Sequence, residues 1–434
     1  MGSMDILHYR DFEIEIGPGT AGRYPVAVLD SPSGQGRSTM TPPWDSAGLE
    51  TQLAALEEAV LDGGQGALQG VQTFGVQLFD ALFIDDVRTV YDRSRQAVVD
   101  SGEGLRIKLR INALDLATVP WEFICDPRTA EFLALSRLTP IVRYLELPLG
   151  ESMLAVKPPL RVLGLVASPS DVLTLDVDRE KARLEEALRP LQETGKVELV
   201  WLEGQTWRDL QAAMQGGPWH VLHFIGHATF DQATDEGRLL LADEAGRAAP
   251  ISASQLGRLL SDHQTLCLAV LNACEGAKGS EQSRFSSTAA ALVSRGLPAV
   301  LAMQYALSDR AAIEFTASFY GALAANLPID AATSEARKAI SLALPDSSEW
   351  GTPVLFMRTP DGVLWDVLPK RKLPVAAIAG IVGVAVVVLA LLIWLVASQA
   401  RVARLVSQPT ATASPSPSAT PTSTPAAMGG TRCV

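Results

Sequence analysis

His227 and Cys274 stand 47 positions apart, each closing an apolar run that ends in small residues. The runs are Trp219-His220-Val221-Leu222-His223-Phe224-Ile225-Gly226-His227-Ala228 and Leu268-Ala269-Val270-Leu271-Asn272-Ala273-Cys274-Glu275-Gly276-Ala277. A thiol is a poor nucleophile until it loses its proton, and a free cysteine of pKa about 8.5 keeps most of it at neutral pH. An imidazole within reach can take that proton and later deliver it to a leaving amine. The pair therefore predicts thiolate chemistry on an amide. Neither residue would carry this alone, because a single cysteine at a strand end more often packs into core. Cys267, inside its run, and Cys125, in Trp121-Glu122-Phe123-Ile124-Cys125, are read as core. His220, His223 and His227 read as part of a strand entering a glycine turn, with no Cys, Asp or Glu at helpful spacing to complete a zinc site. No metal or cofactor is expected, and His223 is expected to pack and hydrogen-bond beside the turn.

Such residues need a scaffold that brings two strand ends together. Apolar runs bounded by breakers occur at 161–167, 197–202, 220–224, 266–271, 299–303 and 354–357. Helix-period stretches lie at 178–191, 287–295, 309–324 and 331–342, the first placing Leu184, Leu188 and Leu191 on one face. This alternation predicts an α/β fold with a mostly parallel sheet flanked by helices on both faces. Ligands of open α/β sheets bind outside the carboxyl ends of strands, so His227 and Cys274 should share one crevice. Residues 237–252 read as a hairpin turning at Glu244-Ala245-Gly246. Over 4–150 the pattern is mixed α/β, with strands at 12–16, 24–29 and 105–111 and helices at 49–61 and 73–80. Gly34-Gln35-Gly36-Arg37-Ser38 and Gly63-Gly64-Gln65-Gly66 match no phosphate-loop spacing and are read as plain loops.

Composition narrows the function classes. The net charge of -12, with no Lys/Arg cluster in the body, argues against duplex nucleic acid as a partner. Four cysteines without CxxC spacing argue against a disulfide framework and fit a reducing compartment. Val375–Ala397 carries 23 residues without a charge, long enough to span a bilayer, so one transmembrane helix is expected over 373–398. Beyond it, 407–434 is Pro/Ser/Thr-rich and expected to be a disordered tail. Asp5, Arg10, Asp11 and Glu13 leave no apolar leader, so no signal peptide is expected. The expected location is the cell membrane, single-pass, with the body in the cytoplasm.

Residues 220–366 resemble the CHAT family, peptidase-like proteins of the caspase fold. The resemblance is carried by HFIGHATFD, GRLLLAD, LNACEGA, PAVLAMQ, SDRAAIEFTASFY, DAATSEARKAI and EWGTPVLFMR. It extends upstream through RVLGLVASP, VPWEFICD and LALSRLTPIVRYL. It implies a caspase-like peptidase domain over 159–368, after the N-terminal region 4–150, that cleaves a protein substrate through a Cys–His dyad. A role in prokaryotic defence or regulated cell death, under a sensor or activator protein, is part of the same expectation.

Residue by residue, the family's histidine falls on His227 and its nucleophile on Cys274. The caspase signature Q-A-C-[RQG]-G, with its histidine about 50 residues upstream, is kept at Ala273, Cys274 and Gly276 and departs at Asn272 and Glu275. The backbone N–H groups of Ala228 and Cys274 would form the oxyanion hole. Ala228 stands where glycine is usual; it keeps the N–H but restricts φ. Gly226 and Gly276 would supply tight turns. Asn272, two before the nucleophile, would line the S1 pocket, where a neutral amide cannot offset a buried cation. Strict Arg/Lys preference is then not expected unless Asp231, Asp235 or Glu236 reaches in. The alternative function is a catalytically silent CHAT module serving as a membrane-tethered interaction scaffold; intact His227 and Cys274 favour the peptidase.

Overall fold

The computed structural model describes residues 8–147, 154–173, 175–234, 236–273, 282–367 and 388–395. Met1–Lys370 and Arg371–Val434 form two separate compact units. In the first, eleven described strands join one sheet in the order Val197–Trp201, Leu160–Val166, Val221–Gly226, Leu268–Ala273, Ala299–Met303, Pro353–Met357, Ile141–Tyr144, Gly104–Ile111, Tyr9–Ile16, Tyr24–Asp30, Gly36–Met40. The first five strands run parallel. Pro353–Met357 is antiparallel to Ala299–Met303 and starts a second parallel block through Ile141–Tyr144, Gly104–Ile111 and Tyr9–Ile16. Two antiparallel strands close that edge. The expected mostly parallel sheet is thus two parallel blocks of opposite sense, and the N-terminal strands extend the sheet begun by the first block.

Helices cover both faces because the strands are apolar on both. On Val221–Gly226, Val221 and Ile225 enter one core while Leu222 and Phe224 enter the other. The first core receives Leu184 and Leu188 of Val177–Glu193, Phe315 and Phe319 of Asp309–Ala324, and Ile340 of Ile329–Ala343. The second receives Leu210, Leu256 and Leu292 from Trp207–Gln215, Ala253–Leu260 and Gln282–Ser294. Capping boxes start two of these helices: Thr206 with Asp209, and Ser252 with Gln255.

Several local expectations change. Of 34–38, read as loop, residues 36–38 belong to the edge strand Gly36–Met40; a Cβ on Gly36 would lie 3.1 Å from the Asp86 carbonyl oxygen, so glycine lets a later helix pack close. That helix, Asp85–Ser101, and the strand Ile141–Tyr144 are absent from the sequence-based expectation. The hairpin of Glu236–Ala242 and Ala248–Ser252 gains a third strand, Ala228–Asp231.

The second unit bears on the expected membrane segment. Among the described residues no helix is long and apolar enough to cross a membrane. Only 388–395 of the expected 373–398 is described; it is helical and exposed. The rest of that segment and the tail 407–434 lie outside the described residues.

Candidate active site

The parallel pairing of Val221–Gly226 with Leu268–Ala273 runs in unbroken register from Val221↔Leu268 to Gly226↔Ala273. Two apolar strands buried on both faces therefore end side by side, and the next residues along the chain are His227 and Cys274. Cys274 lies outside the described residues, as does Gly276. Gly226 is where the turn needs its missing side chain: a Cβ there would meet the Ala167 carbonyl oxygen at 2.9 Å. Ala167 in turn donates its N–H to Ile225, so the close approach is part of the strand packing.

His227 is buried, with its Nε2 2.8 Å from the Leu173 carbonyl oxygen. A carbonyl only accepts, so Nε2 carries the hydrogen, and in the neutral form of the imidazole the lone pair lies on Nδ1. That is the tautomer a general base needs when Nδ1 is the working nitrogen. The loop bearing Leu173 is tied down from several sides. Ser168 N–H donates to Gln205 Oε1 at 2.8 Å, and Leu175 N–H donates to Ser168 Oγ at 3.1 Å. Ser170 N–H and Oγ both donate to the Gly246 carbonyl at 2.9 and 3.0 Å, and Ala248 N–H donates to Asp171 Oδ1 at 2.6 Å. The hairpin Glu236–Ser252 thus braces the carbonyl that fixes the imidazole. Sequence reasoning missed Leu173 because any residue can present a carbonyl.

Ala228 opens the strand Ala228–Asp231, opposite Leu239. The neighbouring Leu240 N–H donates to the His227 carbonyl at 2.9 Å, and alternation along an antiparallel pair turns the Ala228 N–H away from that partner strand. Asn272 lies opposite Ile225, half-buried, its Oδ1 without a hydrogen bond among the described residues.

The other sequence candidates separate from the site. His223 does not bond at the turn: its Nδ1 is 2.8 Å from the Tyr320 hydroxyl on the helix Asp309–Ala324, where the rings stack. Alternation sends residue 223 to the face this helix covers. Desolvation holds the His223 pKa down to about 3. His220 accepts the Arg161 N–H on Nδ1 at 2.8 Å, and burial with the Arg161 charge holds it down to about 4. Cys125 and Cys267 are core residues, and desolvation pushes the Cys125 thiol up to about 11, which suits an inert side chain. Asp231 is taken up by Ala233 N–H, Thr234 Oγ1 and Arg238, and Glu236 by Ser254 N–H. Asp235 lies outside the described residues. Among the described residues no group of three His, Cys, Asp or Glu is arranged to hold a metal.

A CHAT domain model matches residues 74–357. The chain belongs to the CHAT family. No curated protein matches this CHAT protein in sequence. Its fold is similar to the crystal structure of the Arg-specific cysteine proteinase gingipain R, at 12% identity over 74% of this chain and 76% of that one, TM-score 0.40. It is also similar to the Porphyromonas gingivalis complex of RgpB pro- and mature domains, at 12% identity over 74% and 77%, TM-score 0.40. The Saccharomyces cerevisiae separase–securin complex matches at 11% identity and TM-score 0.46, over 80% of the CHAT protein but 30% of that chain.

Proposed function

We propose that this CHAT protein is a cysteine endopeptidase acting on a protein substrate, with Cys274 as nucleophile and His227 as its base. The observation that carries the reading is the strand register ending at Gly226↔Ala273, combined with a His227 ring whose Nε2–H is engaged by Leu173 and whose Nδ1 keeps its lone pair. In this mechanism Nδ1 takes the Cys274 proton and the thiolate attacks the scissile carbonyl. Backbone N–H groups of Ala228 and Cys274 receive the developing oxyanion. The imidazolium then protonates the leaving amine, and water, deprotonated by the same ring, hydrolyses the thioester. Asn272 contributes to S1. With Asp231 held by Ala233 N–H and Arg238 and Glu236 by Ser254 N–H, neither supplies the charge a basic P1 side chain would need.

The uncharged run Val375–Ala397 supports an anchor in the cell membrane, with the body on the cytoplasmic side and the tail 407–434 across it. CHAT membership supports a role in prokaryotic defence or regulated cell death, triggered by a sensor or activator protein. The test is terminal proteomics in cells expressing wild type, Cys274→Ala or His227→Ala. New protein termini should appear with wild type alone, and Cys274 should be the thiol labelled fastest by iodoacetamide. Cleavage that persists in Cys274→Ala sinks the assignment.

A further inference from the structure

A cavity of about 580 Å³, within the range of specific ligand sites, opens between the two halves of the sheet. Glu15, Arg110 and Tyr144 of the N-terminal half line one side; Phe230, Ser287 and Ala290 line the other. These last three belong to the elements that continue from the proposed catalytic pair. Phe230 is three positions after His227, at most about 11 Å of chain. Ser287 and Ala290 sit on Gln282–Ser294, the first described element after Cys274.

Four charged residues line the cavity, and three of them are paired: Arg143 is held by Glu122 at 2.9 Å, and Arg110 takes Glu146. Arg110 bridges Glu13 and Glu146, the latter at 2.8 Å. Glu15 stands opposite Arg110 in strand register but makes no hydrogen bond or ion pair among the described residues. Of the charges lining the cavity, the half-buried Glu15 is the one left without a partner among the described residues. Beside it the walls are aromatic, from Tyr144 and Phe230, and at the rim Leu114 is 79% exposed. Apolar surface thus extends beyond the cavity, which fits a chain segment better than a free small cation.

We propose that this cavity is an effector site for a protein segment that presents a lysine or arginine beside an apolar side chain, and that its occupancy sets the reactivity of the catalytic pair. The binding half stands by itself; the coupling half rests on the peptidase reading. Phe230 and Ser287 lie on the strand and helix that continue from the pair, so an occupant that favours one placement of them over another is linked to the catalytic turn. Such an occupant shifts the turn by the ratio of its affinities for the two placements.

The test uses the full chain in detergent and fluorescein-labelled tripeptides Leu-Lys-Leu and Leu-Glu-Leu, blocked at their C-termini, with binding read by anisotropy. Wild type should bind the lysine peptide, Glu15→Gln should weaken it by about tenfold, the loss of one partly desolvated charge pair, and Glu15→Lys should prefer the glutamate peptide. Leu114→Ser, at an exposed rim position that cannot unfold the strand, should also weaken binding. Adding the lysine peptide should change the alkylation rate of Cys274 in wild type but not in Glu15→Gln. Binding that is absent, or unaltered in both Glu15→Gln and Leu114→Ser, overturns the site. Equal affinity for n-hexylamine overturns the protein partner, and binding with no change in alkylation overturns the coupling. Binding to Cys274→Ala separates failure of the peptidase reading from failure of the site.

Discussion

The pair His223–Tyr320 makes the fold acid-sensitive in a calculable way. His223 is 3% exposed, and desolvation moves its pKa from the ordinary 6.5 down to about 3. Burial also raises the pKa of Tyr320, so both groups stay neutral in the folded protein at neutral pH. A base whose folded pKa is depressed contributes stability above its unfolded value and loses it as pH falls toward the folded one. The window here is pH 6.5 down to about 3. At pH 5 the unfolded ring is protonated and the folded ring is not, which at about 1.4 kcal/mol per pH unit removes about 2 kcal/mol. His220, held down to about 4, adds to the same limb. The double variant His223→Phe/Tyr320→Phe replaces both hydrogen-bonding partners by apolar rings, a change that is nearly neutral at pH 7 when the shape is kept. Urea unfolding at pH 7 and pH 5 should show wild type losing about 2 kcal/mol more than the double variant over that interval. If the two lose stability equally, His223 is not the buried neutral base the geometry describes.

Three further outcomes follow from named contacts. Gly226→Ala puts a methyl 2.9 Å from the Ala167 carbonyl oxygen and 2.7 Å from the Phe224 ring, so it should cost about 1–3 kcal/mol in urea unfolding and slow Cys274 alkylation by displacing His227. Unchanged stability and alkylation would mean the strand end is looser than its packing implies. Asn272→Asp should gain cleavage after Arg or Lys in a P1-scanning peptide library; wild type that already cuts only after basic residues contradicts a neutral S1. Deleting 373–434 should leave a body that fractionates away from membranes, and protease outside spheroplasts should reach the tail while sparing residues before 370; digestion of the body would reverse the proposed topology.

The strands that end at His227 and Cys274 were legible in the sequence because burial on both faces leaves a simple trace. All six residues of Val221–Gly226 are buried, and an unbroken apolar run reports that directly. The helix Asp85–Ser101 hides its signal differently. Its buried face, Val87, Val90, Tyr91, Ser94 and Val98, has helical spacing, yet Ile84 at its start makes no side-chain cap and charges crowd the remaining positions. What orients His227 left no trace, since a backbone carbonyl in a loop 54 positions upstream has no residue code.

The N-terminal strands show a deeper limit. In Tyr9–Ile16, Phe12, Ile14 and Ile16 are buried while Asp11, Glu13 and Glu15 take the other face, a period-two pattern that ordinarily means one face in water. Here that face meets Arg106, Lys108 and Arg110, paired in register as Asp11↔Arg106, Glu13↔Lys108 and Glu15↔Arg110. Arg106 and Lys108 are each 3% exposed. Arg106 also binds Asp330 and the carbonyls of Pro360 and Asp361, so charges read locally as solvated are instead satisfied by distant segments. Removing one partner of such a desolvated set strands the others, at about 3–5 kcal/mol for a buried pair. The alternation of each strand is therefore true to its backbone and silent about its surroundings. In this ladder Glu15 is the carboxylate left without a cation, and it faces the cavity beside Phe230.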